Sequence, residues 1–222
     1  MIFTNRQEAG RVLAERLEKY ASRADVTVLG VPRGGVPVAF EVASALRAPL
    51  DIFVLRKLGV PGHEELAFGA ISSGGVRILN TDIVNKLGIS EAEITAATKQ
   101  ETKELERREL LYRGNRPSLN VQGRTVILVD DGVATGASLR AAIQAIRKLR
   151  PASLVVATPV APRATYNQLR HELDELVCAE LPDPFYGVGQ FYEDFSQVGD
   201  EEVIALLERA QRREAGAKSH SA

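Results

Sequence analysis

Two adjacent carboxylates stand where a buried strand is predicted to end. Residues 126–129 are four consecutive apolar residues, three of them β-branched, and so short a run predicts a strand buried on both faces, as in a parallel sheet. Asp130 and Asp131 follow directly. Residues 132–138 are almost all small or hydroxylated, and apolar residues recur at helical spacing after them, so this loop is predicted to open into a helix.

A loop of small residues at the start of a helix favours the binding of an anion. Backbone N–H groups converge there, and small side chains let a phosphate approach the main chain. The hydroxyls of Thr135 and Ser138 add further donors. Paired carboxylates would repel a phosphate, so we expect them to face the hydroxyls of a sugar that carries the phosphate, or a divalent cation. The segment therefore predicts a sugar-phosphate site.

The run VILVDDGVATGAS, residues 126–138, resembles the 5-phosphoribosyl 1-diphosphate (PRPP) signature of type I phosphoribosyltransferases over all thirteen positions. The resemblance implies that Asp130 and Asp131 bind the ribose 2- and 3-hydroxyls, close to a Mg²⁺ ion that bridges the ribose and the diphosphate. It implies that PRPP is also bound by Gly132, Ala134, Thr135, Gly136, Ala137 and Ser138, with residues 134–138 as the cradle of the 5-phosphate. The alternative is a strand–helix turn with an acidic end and no ligand, which explains neither the paired acids nor the small residues.

A second strand–loop–helix unit begins at the buried run 26–30. Arg33 stands before Gly34 and Gly35, which can leave backbone N–H groups exposed, and the arginine supplies a forked cation suited to phosphate oxygens. In position and chemistry, residues 32–35 resemble the pyrophosphate-binding loop of the same family, which often contains a strained peptide bond. An ordinary glycine-rich turn with a solvated arginine is the alternative.

Two further cations follow the next predicted strand, residues 51–55. Arg56 and Lys57 at the end of a strand would complete a diphosphate pocket, because the loops of this sheet already bind anions; a solvated pair is the alternative. Residues 58–65 are then predicted to be a loop from their glycines and proline.

The same loop contains His63 and Glu64, which belong to the one cluster of acid–base residues outside the central loop. Their order after Arg56 and Lys57 is loosely similar to the catalytic loop of orotate phosphoribosyltransferases. That resemblance implies a mobile loop that closes over the substrates, with proton transfer by His63 or Glu64. Plain surface residues are the alternative.

The segment 182–195 breaks the strand–helix pattern and gathers five aromatic residues with two prolines and two glycines. In the resembled family a variable lobe, the hood, covers the acceptor base and is built partly from the C-terminal segment. Phe185, Tyr186 and Tyr192 are therefore candidates to stack on a planar acceptor. A hydrophobic plug under a surface loop is the alternative.

The remaining segments predict an α/β fold with a doubly wound, mainly parallel sheet, a small hood lobe and a long exposed helix. We expect a single domain over 1–215, with its core at about 24–181, its hood from the N-terminal segment and about 182–200, and a disordered tail at 216–222. The other predicted elements are a helix capped by Thr4 or Asn5, a hairpin of 66–72 with 75–80, a helix from Ser90 to Leu111, strands at 153–159 and 175–181, a helix from Pro162, and a closing helix at 203–210.

The composition fits one α/β domain and excludes several classes of protein. The chain has 222 residues, 45% of them hydrophobic, and a formal net charge of −1, which argues against a nucleic-acid-binding surface. A lone cysteine, Cys178, excludes a disulfide framework. With no long apolar run and no recognisable signal peptide, we expect a cytoplasmic protein without a membrane partner. The family resemblance implies a homodimer.

The predicted reaction is transfer of the 5-phosphoribosyl group from PRPP to a small nitrogenous acceptor, with Mg²⁺ and with release of pyrophosphate. Hypoxanthine–guanine enzymes carry an aspartate where this loop has Ala134, which implies no efficient use of 6-oxopurines. Two alternatives remain at this stage. One is a regulatory protein that binds PRPP or a nucleotide without turnover, and the other is a sugar-phosphate enzyme that uses water or phosphate as acceptor.

Overall fold

A parallel sheet of five strands lies at the centre of the molecule, in the order β2–β1–β6–β7–β8. In this computed structural model the backbone is described for residues 1–60, 63–117 and 120–219, and the side chains for the same residues except 64, 65 and 217–219. The sheet strands are β1 (Val26–Gly30), β2 (Leu50–Ile52), β6 (Thr125–Val129), β7 (Ser153–Val160) and β8 (Glu175–Glu180). The predicted α/β fold with a parallel sheet is confirmed.

Helices cover both faces of this sheet. The α-helices in the described part of the chain are α1 (Arg6–Arg16), α2 (Gly35–Leu46), α3 (Thr81–Leu87), α4 (Glu91–Arg113), α5 (Ala137–Lys148), α6 (Arg163–Leu169) and α7 (Asp200–Ser219). Along β6, Ile127 and Val129 belong to the core shared with α1, α2 and α7, whereas Val126 and Leu128 belong to the core shared with α5. Burial on both faces is the physical reason why β6 has no polar alternation in its sequence.

A second, antiparallel sheet follows β2 and corrects two predictions. It contains β3 (Leu55–Val60), β4 (His63–Ser72) and β5 (Val76–Leu79) in that order. The predicted strand 51–55 is wrong in its limits, and most of the predicted loop 58–65 is strand. Pairing with β4 overrides the local glycine signal, because Gly59 lies where the register of the ladder shifts. Pro61 and Gly62 lie outside the described residues.

The predicted hairpin of 66–72 with 75–80 is confirmed by the pairing of β4 with β5. The chain crosses from the central sheet to this hairpin at Phe53 and Val54. The Phe53 N–H donates to Gly30 O at 3.0 Å, and the Val54 N–H donates to the buried Ser73 Oγ at 2.9 Å. These bonds hold the start of β3 against the carboxyl end of β1.

Helix α4 is long and largely exposed, as predicted, but one side of it is anchored. Ser90 and Glu93 form the predicted capping box at its start. Near its end the Tyr112 hydroxyl donates to Asp200 Oδ1 at 2.5 Å, and Arg113 Nε donates to Asp51 Oδ1 at 2.9 Å. The last turns of α4 are therefore fixed against both α7 and β2.

The two ends of the chain are helical. Asn5, one of the two residues predicted to cap α1, accepts a hydrogen bond from the Glu8 N–H. Helix α7 runs to Ser219, four residues into the segment 216–222 for which the sequence predicts a disordered tail. The helix packs against α2 and β2, and its buried apolar residues lie between Val203 and Ala210; residues 220–222 lie outside the described residues. No helix in the described part of the chain is long and apolar enough to cross a membrane.

Candidate active site

The two predicted anion loops meet at the carboxyl ends of β1 and β6. These strands are neighbours in the sheet, with Gly30 opposite Val129, and the Val31 N–H donates to Val129 O at 2.9 Å. The loops that follow therefore line one cavity of about 350 Å³. Its lining includes Pro32, Gly34, Lys57, Arg108, Asp130, Asp131 and Ser138.

Gly34 is required where the two loops touch. A Cβ atom at Gly34 would lie 2.0 Å from Asp131 Oδ2, which is far inside van der Waals contact. A Cβ at Gly35 would lie 2.7 Å from Val129 O. The Pro32–Arg33 peptide bond just before these glycines is cis. The absence of side chains at Gly34 and Gly35 therefore allows the two loops to approach each other closely, in addition to any role in ligand binding.

Asp130 resists ionisation in this site. Burial raises the pKa of its carboxyl well above the ordinary value, and the nearby charge of Asp131 raises this pKa further. The Asp131 N–H donates to Asp130 Oδ1 at 2.9 Å and opposes the rise. A cation or hydroxyl donors in the cavity would stabilise the charged form of the Asp130 carboxylate.

Asp131 is compensated by Arg6, a residue that the sequence analysis missed. Arg6 Nε donates to Asp131 Oδ2 at 2.8 Å, and both side chains are largely buried. Arg6 Nη1 donates to Ser196 O at 2.8 Å, and its guanidinium lies 4.0 Å from the centre of the Phe195 ring. Arg6 lies three residues before the buried Ala9, on the side of α1 that faces the core. An arginine on the apolar side of a helix indicates a buried partner, and this was the signal in the sequence that could have identified Arg6.

Tyr192 supports the acidic loop, and its predicted stacking on an acceptor stays a prediction. Its ring is buried between Phe3, at 5.6 Å between centroids, and Phe195, at 5.0 Å. Its hydroxyl donates to Asp131 O at 2.6 Å, and burial raises the pKa of this hydroxyl. The segment 182–195 is thus tied to the site through Tyr192.

The other two candidate stacking residues lie apart from the cavity lining. Phe185 stacks on Phe191 with 5.5 Å between ring centroids, and Tyr186 is 86% exposed. Val188 of the same segment packs against the acidic loop, because a Cβ at Gly132 would lie 2.2 Å from Val188 Cγ1. The acceptor roles of Phe185 and Tyr186 stay predictions.

The predicted cations do not all face the cavity. Arg56 Nε donates to Glu101 Oε2 at 2.7 Å, whereas Lys57, the next residue along β3, lines the cavity. Successive side chains of a strand point to opposite faces, which separates this pair. Arg33 lies outside the cavity lining, with its Nη1 at 3.9 Å from Asp200 Oδ1. Among the described cations, Arg108 of α4 joins Lys57 at the cavity and was missed.

The predicted 5-phosphate cradle forms the start of α5. Gly136 caps this helix with a φ of 75°, a backbone conformation that favours glycine. Two hydrogen bonds fix the backbone of this loop. The Val133 N–H donates to Val160 O at 2.9 Å, and Thr165 Oγ1 donates to Ala134 O at 2.8 Å. Thr135, Ala137 and Ser138 remain exposed, so an anion can reach the helix start.

The two predicted proton-transfer residues lie at the tip of the β3–β4 hairpin. His63 is exposed and pairs with Val60 in the ladder. The side chain of Glu64 lies outside the described residues. Both roles stay predictions.

We expect Gly34→Ala to lower the free energy of unfolding by about 1–3 kcal/mol, because the new methyl group must displace the Asp131 carboxylate. The matched control is Gly199→Ala, since a Cβ at Gly199 meets no atom within 4 Å. The control should stay within about 0.5 kcal/mol of the parent, because alanine restricts the unfolded chain but is a poorer residue than glycine at the start of α7. Urea unfolding of both variants measures the difference, and equal stabilities would refute the loop contact.

We expect Arg6→Met to lower the free energy of unfolding by about 3 kcal/mol, because it leaves the Asp131 carboxylate buried without its partner. Arg11→Met, at an exposed position of the same helix, should stay within about 0.5 kcal/mol of the parent. A double-mutant cycle with Asp131→Asn isolates the pair. Additive effects of the two substitutions would contradict the coupling.

The sequence and the fold are similar to those of known proteins. A family model described as "Phosphoribosyl transferase domain" matches residues 2–196. Two proteins of Mycobacterium tuberculosis, named "Putative phosphoribosyl transferase" MT0597 and Rv0571c, are each 47% identical over 218 residues; these residues are 97% of this chain and 49% of each relative, so the chain spans about half the length of these relatives. The crystal structure of TT1426 from Thermus thermophilus is 39% identical with a TM-score of 0.83, over 94% of this chain and 99% of that one. This chain therefore belongs to the phosphoribosyl transferase domain family.

Proposed function

We propose that this chain is a Mg²⁺-dependent phosphoribosyltransferase that transfers the 5-phosphoribosyl group from PRPP to a small nitrogenous acceptor and releases pyrophosphate. The observation that carries the proposal is the meeting of three features around one cavity. These features are the acid pair Asp130–Asp131, the glycine loop at Gly34 and the start of α5 at Ser138. Together they match the three chemical parts of PRPP, which are a diol, a diphosphate and a phosphate monoester.

The acid pair binds the ribose of the substrate, and the start of α5 binds its 5-phosphate. Asp130 and Asp131 accept hydrogen bonds from the ribose hydroxyls, which relieves the unfavourable burial of the Asp130 charge. The exposed loop residues 134–138 receive the 5-phosphate at the positive end of α5. The sugar is thereby oriented with its anomeric carbon toward the glycine loop.

The leaving diphosphate is received near Gly34 and Lys57. The Gly35 N–H is already bonded to Val31 O at 3.0 Å, so within this glycine pair the Gly34 N–H is the amide that a diphosphate can use. Lys57 contributes a cation from β3. Cations placed where negative charge develops stabilise the departing group more in the transition state than in the bound substrate.

The acidic residues present fit Mg²⁺ that arrives with the substrate. No group of three or more His, Cys, Asp and Glu side chains in the described part of the chain could hold a metal ion. Mg²⁺ commonly binds through one or two carboxylates together with substrate phosphates and water. Asp130 and Asp131 would hold it in this way. When bound, the ion neutralises charge on the diphosphate as that group leaves.

The β3–β4 hairpin is the segment that we expect to close over the substrates. Its strand β3 places Lys57 at the cavity, and its tip carries His63. Closure would exclude water from a sugar carbon that becomes cationic. His63 and Glu64 would then be candidates to take the proton from the acceptor nitrogen.

Pyrophosphate release from PRPP with Mg²⁺, measured across purines, pyrimidines and other amines with a no-acceptor control, tests this function. We expect one acceptor to raise the rate strongly. The double substitution Asp130→Asn with Asp131→Asn should reduce that rate at least about a hundredfold, because it removes the charges that hold the sugar and the metal ion. Glu106→Gln, which neutralises an exposed acid on α4, should leave the rate unchanged.

Thermal unfolding with PRPP distinguishes the possible reasons for a negative result in this assay. PRPP at about 100 times its dissociation constant should stabilise the fold by roughly 2.7 kcal/mol. Stabilisation without turnover for any acceptor would indicate a PRPP-binding regulator. Pyrophosphate release without any base would indicate water or phosphate as the acceptor. The absence of both stabilisation and turnover would refute the proposal.

We expect hypoxanthine and guanine to give no pyrophosphate release above the no-acceptor control. The loop carries Ala134 where hypoxanthine–guanine enzymes have an aspartate, so no carboxylate at this position can handle the proton of a 6-oxopurine. The Ala134 backbone is also fixed, through its carbonyl, by Thr165. Robust turnover of either base would contradict this prediction.

A further inference from the structure

The cavity has an acidic wall and a cationic wall, and the cationic wall differs from the predicted one. Asp130 and Asp131 form the acidic wall. Lys57 and Arg108, which we call the cationic wall, are the cations that line the cavity among the described residues. A diphosphate carries several negative charges and must lie away from the two acids, so a single lysine leaves most of that charge without a partner.

Arg108 presents an unused fork of donors. Its Nε donates to Glu104 Oε1 at 2.8 Å, and no other oxygen in the described part of the chain accepts a hydrogen bond from this guanidinium. The side chain is 34% exposed, so a ligand can reach it. A planar guanidinium with two free terminal nitrogens matches the spacing of phosphate oxygens.

The backbone below Arg108 is held rigidly. Tyr112, one turn further along α4, bonds to Asp200, and the buried Arg113 bonds to Asp51 and to Ile52 O at 2.9 Å. Glu104, one turn before, holds the guanidinium itself. The position of this cation is therefore set by the protein before any ligand binds, which lowers the entropic cost of using it.

We propose that Arg108 binds the diphosphate group of PRPP, and the pyrophosphate product, as a substrate-binding residue supplied by α4. This assignment rests on the proposed function, because it names the ligand of one wall of the same cavity. Arg108 and Lys57 together supply the positive charge of the cavity. Arg56 and Arg33 do not supply it, because Arg56 is paired with Glu101 and Arg33 is turned toward Asp200.

The neighbouring residue offers a matched control. Arg107 bonds to the same Glu104, with Nε at 2.7 Å from Oε2 and Nη2 at 3.0 Å from Oε1. It is 61% exposed and is absent from the cavity lining within the described part of the chain. Arg107→Gln therefore removes the same charge and a bond to the same carboxylate without changing the cavity.

The test is calorimetric titration of the parent chain, Arg108→Gln, Arg108→Lys and Arg107→Gln with three probes in Mg²⁺. The probes are PRPP, inorganic pyrophosphate and ribose 5-phosphate. Arg108→Gln should weaken PRPP and pyrophosphate by about tenfold or more, which is typical of a lost charged hydrogen bond. Its affinity for ribose 5-phosphate should be unchanged, and Arg108→Lys should recover part of the loss. Circular dichroism and thermal unfolding check that each variant is folded.

The outcomes separate this proposal from the proposed function. A parent chain that binds none of the probes overturns both. A parent chain that binds PRPP, with Arg108→Gln equal to Arg107→Gln, overturns the role of Arg108 alone. Equal loss for ribose 5-phosphate and pyrophosphate in Arg108→Gln also overturns it, because that result indicates a general disturbance of the site rather than a lost diphosphate contact.

Discussion

The contact between Gly34 and the Asp131 carboxylate is the constraint on which the site depends. A side chain at Gly34 would overlap Asp131 Oδ2, so the two loops can share one cavity only because this residue has no Cβ. The contact exists because β1 and β6 are adjacent and in register at Gly30 and Val129. The adjacency and register of β1 and β6 therefore determine the distance between these two loops.

The charge on the acid pair explains why the two ends of the chain meet there. Two neighbouring carboxylates at a largely buried position would repel each other. Arg6 from α1 compensates Asp131, and Tyr192 bonds to the carbonyl of the same residue. The N-terminal helix and the segment 182–195 are thus held together by the acid that they support. Tyr192 and Phe195 of this segment pack against Phe3 and Arg6, while the hood itself stays a prediction.

The features that could be predicted from sequence are those encoded by consecutive residues. The strand before Asp130, the small-residue loop to Ser138 and the capping box of α4 each lie within a short window, and their structures follow the local pattern. The hairpin β3–β4 was missed because its glycines indicate a loop, whereas long-range pairing with β4 sets its structure. Tertiary pairing outweighs a local turn signal there. Arg6 is 125 positions from its partner, and no spacing rule connects the two.

The same distinction separates the two halves of the cavity. The half that contains the acidic loop and the start of α5 is built from one uninterrupted segment, so it can be recognised from thirteen residues. The cationic wall combines Lys57 of a hairpin with Arg108 of a long helix, and each takes its place through packing between distant elements. Strand alternation sends Arg56 to Glu101 and Lys57 to the cavity, and helical spacing sends Arg107 to solvent and Arg108 to the cavity. In both pairs a shift of one residue decides which charge reaches the site.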